Sequence, residues 1–129
     1  MDVRDTQLLQ LGEKLKGLRK EKGLSLTEVG KAVDLSHNFL SEVERGKKQP
    51  SLEKIRLLAN LYGIDEDELF SIVNQLPLRV QELVESDPHL QKILSDAQRK
   101  FKKDPQKLET ITKKIIRIYQ EFLDEENGE

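Results

Sequence analysis

Apolar residues recur at helical spacing along almost the whole chain. Leu8, Leu11, Leu15 and Leu18 are spaced 3, 4 and 3, one face of a helix ending near Gly23. Ser25-Leu26-Thr27-Glu28 is a capping box, in which the hydroxyl accepts from a free amide and the glutamate reaches back. The short second helix it opens carries Val29, Ala32 and Val33 inward. Ser36 can cap a third helix, and Gly46 can end it where a left-handed conformation is cheap. Ser51 opens a fourth helix with Ile55, Leu58, Ala59 and Leu61, stopped by Gly63. Asp65-Glu66-Asp67-Glu68 reads as a second capping box ahead of Leu69, Phe70 and Val73. No segment alternates apolar and polar residues with β-branched enrichment, so the expected class is all-α.

The style changes at Asn74-Gln75-Leu76-Pro77. Beyond it, Asp87-Pro88 and Asp104-Pro105 each supply a capping carboxylate and a proline suited to the first helical position. These pairs predict helices near 78–85, 88–102 and 105–125. The expected organisation is a compact helical domain over 1–73 and a helical oligomerisation or interaction region over 74–129. In the last helix Leu108, Ile111, Ile115, Ile118 and Phe122 are spaced 3, 4, 3 and 4, widened by Ile116, Tyr119 and Leu123. The middle helix adds Leu90, Ile93, Leu94, Ala97 and Phe101. That apolar load exceeds the needs of a lone hairpin.

Composition narrows the chemistry. The chain has 129 residues, 36% of them apolar and 36% charged, a foldable balance with a very polar surface. There is no cysteine, which excludes disulfides and Cys-based zinc sites. No run of about 18 apolar residues suggests a membrane span. The N-terminal MDVRDTQLLQ lacks the basic stretch and apolar block of a secretory signal, so a cytoplasmic location is expected. The two histidines, His37 and His89, are far apart, and there is no glycine-rich phosphate loop and no His-Glu-x-x-His run. No catalytic, metal or cofactor site is expected, and the chain is not read as an enzyme.

Residues 26–45 have the requirements of two helices crossing steeply. Gly30 is the small residue at the crossing, Asp34 tolerates positive φ in the turn, and Val29, Val33, Leu35, Leu40 and Val43 supply a shared core. With LKGLRKEKG at 15–23, SLTEV at 25–29, LSHNFLSEVERGKKQPS at 35–51 and LYGIDEDELF at 61–70, residues 12–70 resemble the Cro/lambda-repressor-like helix-turn-helix domain, the XRE family. The resemblance implies a five-helix lambda-repressor-like domain whose third helix, about 37–45, enters the major groove of double-stranded DNA. It also implies a structural ion pair between Arg19 and Glu44. The sequence departs from the pattern at Leu26, where many relatives carry a polar residue, often Gln, that touches phosphate. Glu42 stands where a base-reading residue commonly points.

Base-edge contacts specify and phosphate contacts position. His37, Asn38, Ser41 and Glu42 are the candidates for base edges, Asn38 suiting adenine and Glu42 cytosine N4. Thr27, Ser36, Arg45, Lys47 and Lys48 are the candidates for phosphate. Each also has a plainer role. Ser36 caps its helix, Thr27 lies in a first helical turn, and the basic run can be a solvated loop that favours a helix C-terminus. The net charge of −2, with 12 Lys or Arg against 13 Asp or Glu over 1–73, makes any DNA face a local patch.

One such domain buries little DNA surface, so a homodimer on a palindromic operator is expected. The stripe Leu108, Ile111, Ile115, Ile118 and Phe122 is the candidate interface. It could instead enlarge the first domain's core, or receive an antagonist protein or effector. The leading expectation is a dimeric repressor that is nucleoid-associated when bound. The alternative is a protein-interaction adaptor on the same scaffold that does not read DNA.

Overall fold

A computed structural model describes residues 2–128. They form eight helices: α1 Val3–Glu21, α2 Leu26–Val33, α3 His37–Glu44, α4 Leu52–Tyr62, α5 Glu66–Ile72, α6 Leu78–Ser86, α7 Pro88–Phe101 and α8 Pro105–Asn127. The chain divides into two compact units, one through Glu82 and one from Leu83.

In the first unit, local chemistry sets most helix ends. Ser25 Oγ accepts from the Glu28 N–H and the Glu28 carboxylate accepts from the Ser25 N–H, each at 3.0 Å. The Ser25 amide bond holds the Glu28 carboxyl below its usual range. Ser36 and Ser51 cap α3 and α4 through the Phe39 and Lys54 amides. Asp34 adopts the left-handed conformation, φ 55°, between α2 and α3. Gly46 follows α3 at φ 77° and Gly63 ends α4 at φ 71°. At α5 the expected reciprocal box does not form. Asp65 accepts from the Asp67 N–H at 3.0 Å, while the Glu68 carboxylate lies 3.7 Å from Lys14 Nζ. A cation on α1 draws that glutamate away from the cap.

The core is built from Leu11, Leu15 and Leu18 of α1, Val29 and Val33 of α2, Leu40 and Val43 of α3, Ile55, Leu58, Ala59 and Tyr62 of α4, and Leu69, Phe70 and Val73. Burying such a side chain contributes roughly 1.5–3 kcal/mol. Three positions differ from the expectation. Ala32 is exposed, because the buried arc of α2 runs through Val29, Gly30 and Val33. Tyr62 lies inside and Leu61 only at the edge, since 55, 58, 59 and 62 keep the helical period.

The first unit extends later in the chain than the expected 73/74 boundary. Glu66 accepts from the Leu78 N–H at 2.8 Å and from Arg56 Nε at 2.9 Å, and Arg56 also grips Glu82 at 2.5 Å. Arg79 holds Asp65 and Asp67 at 3.0 and 2.6 Å. These charge-assisted bonds tie the start of α6 to α4 and α5, across a polar join that hydrophobic patterning does not register.

In the second unit, Asp87 caps α7 through the His89 and Leu90 amides and Asp104 caps α8 through the Lys107 amide. Pro88 and Pro105 occupy the first helical positions. The two helices are joined by the turn at 102–104 and are in contact with each other. Neither buries a residue fully.

Candidate nucleic-acid interface

The α2–α3 crossing depends on a glycine. A Cβ on Gly30 would strike the Leu35 carbonyl oxygen. The Leu35 N–H returns to the Gly30 carbonyl at 2.9 Å and closes the turn. Lys54 Nζ donates to the Val33 and Asp34 carbonyls at 2.6 and 3.3 Å, capping the end of α2 from α4. This ammonium satisfies carbonyls that a helix terminus leaves without partners.

The inner side of α3 is fixed to α1. Arg19 donates from Nε and Nη2 to the two Glu44 carboxylate oxygens at 2.8 and 2.9 Å, and from Nη1 to the Leu24 carbonyl at 2.9 Å. Both side chains are largely buried, 13% and 8% exposed. Gly12 lets the helices approach this closely. A Cβ there would lie 2.5 Å from the Val43 oxygen and 2.6 Å from the Glu44 oxygen.

With its inner side held, α3 turns polar groups outward. His37 and Asn38 lie exposed in its first turn, and Thr27 lies exposed in the first turn of α2. Ser36 is exposed, and its oxygen accepts the Phe39 N–H at 3.0 Å, so capping occupies its acceptor while its O–H can still donate. Ser41 and Glu42 are half-buried. Arg45, Lys47 and Lys48 are exposed beyond the helix end.

These groups interact with one another. Lys48 Nζ is 3.2 Å from the Glu42 carboxylate and 5.9 Å from the centre of the Phe39 ring. Arg45 Nε donates to the Ser41 carbonyl at 3.3 Å. Glu44 is neutralised by Arg19 and Glu42 by Lys48. Among the described residues, Arg45 and Lys47 then remain as the cations of this segment without an ion pair. A chain of net negative charge thus presents a locally positive edge beside α3.

Leu26, at the start of α2, packs against the core cluster instead of presenting a polar group. Gly12 and Lys54 were not among the expected residues. Gly12 carries a sequence signal, a glycine inside a strong helical pattern beside Leu11. Lys54 carries none, because its acceptors lie 21 and 20 residues away.

A family model described as a helix-turn-helix domain matches residues 10–70. Over 61 residues the chain is 43% identical to the HTH-type transcriptional regulator DdrOP3 of Deinococcus deserti, spanning 47% of each chain. Over 68 residues it is 37% identical to control protein C.MunI of a Mycoplasma species, spanning 52% of this chain and 92% of that one. A more distant similarity, 26% over 99 residues, covers 77% of this chain and 67% of the immunity repressor protein of Bacillus phage phi105. The chain belongs to the XRE-type helix-turn-helix family. It spans about half the length of the Deinococcus regulator.

Proposed function

We propose that this protein is a sequence-specific, homodimeric DNA-binding transcriptional regulator that acts as a repressor by occluding a promoter. The observation that carries the proposal is the α3 segment itself. Its inner side is locked by Arg19–Glu44 and the Gly12 contact, and its outer side offers His37, Asn38, Ser41 and Glu42. In this reading those four side chains face base edges in the major groove. Thr27, Ser36, Arg45 and Lys47 engage the phosphates on either side, and Lys48 contributes where Glu42 releases it. The names of the relatives, a transcriptional regulator, a control protein and a repressor, agree with it.

The second copy joins through the apolar stripe of α8, so that paired recognition helices meet half-sites about 34 Å apart on a palindromic operator. An antagonist protein could relieve repression by competing for that stripe. No helix among the described residues is long and apolar enough to cross a membrane. The proposal places the protein in the cytoplasm, on nucleoid DNA, without catalytic function.

Selection from a random-sequence duplex pool at low salt tests this reading. An enriched motif with dyad symmetry is the expected result. A pool that enriches nothing would overturn it and favour the adaptor alternative.

A further inference from the structure

Water meets much of the apolar side of α8. Ile115, Ile118, Tyr119 and Phe122 are 58%, 66%, 59% and 54% exposed and line one shallow groove. A contiguous apolar surface of this kind marks a contact site. The charges along its edge say what fits.

The spacing of Leu108, Ile111, Ile115, Ile118 and Phe122 is that of a helix–helix seam. Lys107, Lys114 and Glu121 each precede a seam residue and share one edge; Thr112, Tyr119 and Glu126 fall on the other edge. Edge residues set the orientation of paired helices. A parallel second copy would bring Glu121 against the partner's Glu126, two like charges, and would set Lys114 opposite a tyrosine. An antiparallel second copy brings Lys114 against the partner's Glu121, twice over by symmetry, and Thr112 against Tyr119 on the other side. The wider charge distribution agrees. Lys107, Lys113 and Lys114 lie in the first half of α8, Arg117 at its middle, and Glu121, Asp124, Glu125 and Glu126 toward its end. The one acid in the first half, Glu109, is paired internally with Lys113 at 3.1 Å.

We infer that α8 pairs antiparallel with α8 of a second copy, in a self-complementary interface whose register is set by Lys114 and Glu121. The inference rests on the dimer reading above and gives it a direction. It makes dimer strength a function of salt, since these pairs lie at a solvated rim.

Sedimentation of the full-length chain over a concentration series, with charge-reversed variants, tests it. Lys114→Glu and Glu121→Lys should each raise the dimer dissociation constant about tenfold, and combining them should restore it, because the reversed pair is again complementary. The chain has no cysteine, so Phe122→Cys gives a clean second readout. Antiparallel pairing keeps the two introduced thiols apart, and no disulfide-linked dimer should form on oxidation. If Glu121→Lys tightens the dimer, or Phe122→Cys cross-links to itself, the antiparallel assignment is overturned while the dimer stands. If the wild-type chain stays monomeric at every concentration, the dimer reading falls with it, leaving the groove to a different protein.

Discussion

Arg19 and Glu44, 25 residues apart in sequence, form a two-pronged ion pair that fastens the end of the third helix to the first. The guanidinium is held above its ordinary pKa chiefly by the hydrogen bond to Glu44. Its remaining arm closes on the Leu24 carbonyl, so one side chain ties three segments together.

Removing either partner leaves a charge in a largely dry site. Arg19→Ala should therefore cost roughly 2–4 kcal/mol, at or just below the range for a fully buried pair. Arg19→Lys should recover less than half, because a point charge cannot reproduce the fork. Urea denaturation followed by circular dichroism measures both. A loss below about 0.5 kcal/mol for Arg19→Ala would place the pair with ordinary surface bridges.

Tyr62 reports on the same region. Burial, reinforced by the nearby Glu44 carboxylate, pushes its phenol from the ordinary 10.0 up to about 12, with Arg19 pulling the other way. Between those values the unfolded chain has lost this proton and the folded chain retains it. Stability from Tyr62 is thus fully present below pH 10 and lost as pH rises toward 12. Absorbance titration of a Tyr119→Phe variant, which leaves Tyr62 as the sole tyrosine, should show tyrosinate appearing near pH 12. Glu44→Gln should move that midpoint downward.

Two glycines of α1 should respond to alanine in opposite directions. At Gly12 the added methyl would meet the Val43 and Glu44 carbonyls at 2.5 and 2.6 Å, so α1 and α3 must part. A loss of about 1–3 kcal/mol is expected from overpacking. At Gly17 nothing lies within 4 Å, and the substitution should stabilise by about 0.5–1 kcal/mol through helix propensity. Thermal melts of the two variants side by side make the comparison.

Much of this architecture was legible before the structure. Leucine spacing, serine caps, Asp-Pro pairs and terminal glycines are local signals, and all eight helices fall where they point. Gly30 and Asp34 could be placed because the steric demands of a turn between crossing helices lie within a few residues. What escaped was non-local or polar. Lys54 on the α2 carbonyls, Glu66 on the Leu78 amide, and Arg56 between Glu66 and Glu82 are contacts that no periodicity encodes. Within the candidate site the residue types were readable, yet the Glu42–Lys48 pair was not, because side-chain pairing across a helix end depends on the path of the following loop.

That pair separates the three basic residues by role. Lys47 has no ion pair among the described residues, so Lys47→Ala should weaken binding to all duplexes alike and reduce the salt slope by about 1. Lys48 must first leave Glu42, and Lys48→Ala should change the slope less while altering preference where Glu42 points. Asn38→Ala should cost about 1–3 kcal/mol on the selected duplex and little on unrelated DNA. Binding isotherms at several salt concentrations resolve all three.

The outward side of α3 as a DNA-reading surface is tested most directly by mapping amide chemical shifts on adding a selected duplex to the full-length protein. The expected footprint covers Thr27 and residues 36–48, strongest at His37 and Asn38, with Leu58 and Phe70 unmoved. Shifts confined to α7 and α8, with α3 silent, would contradict the account.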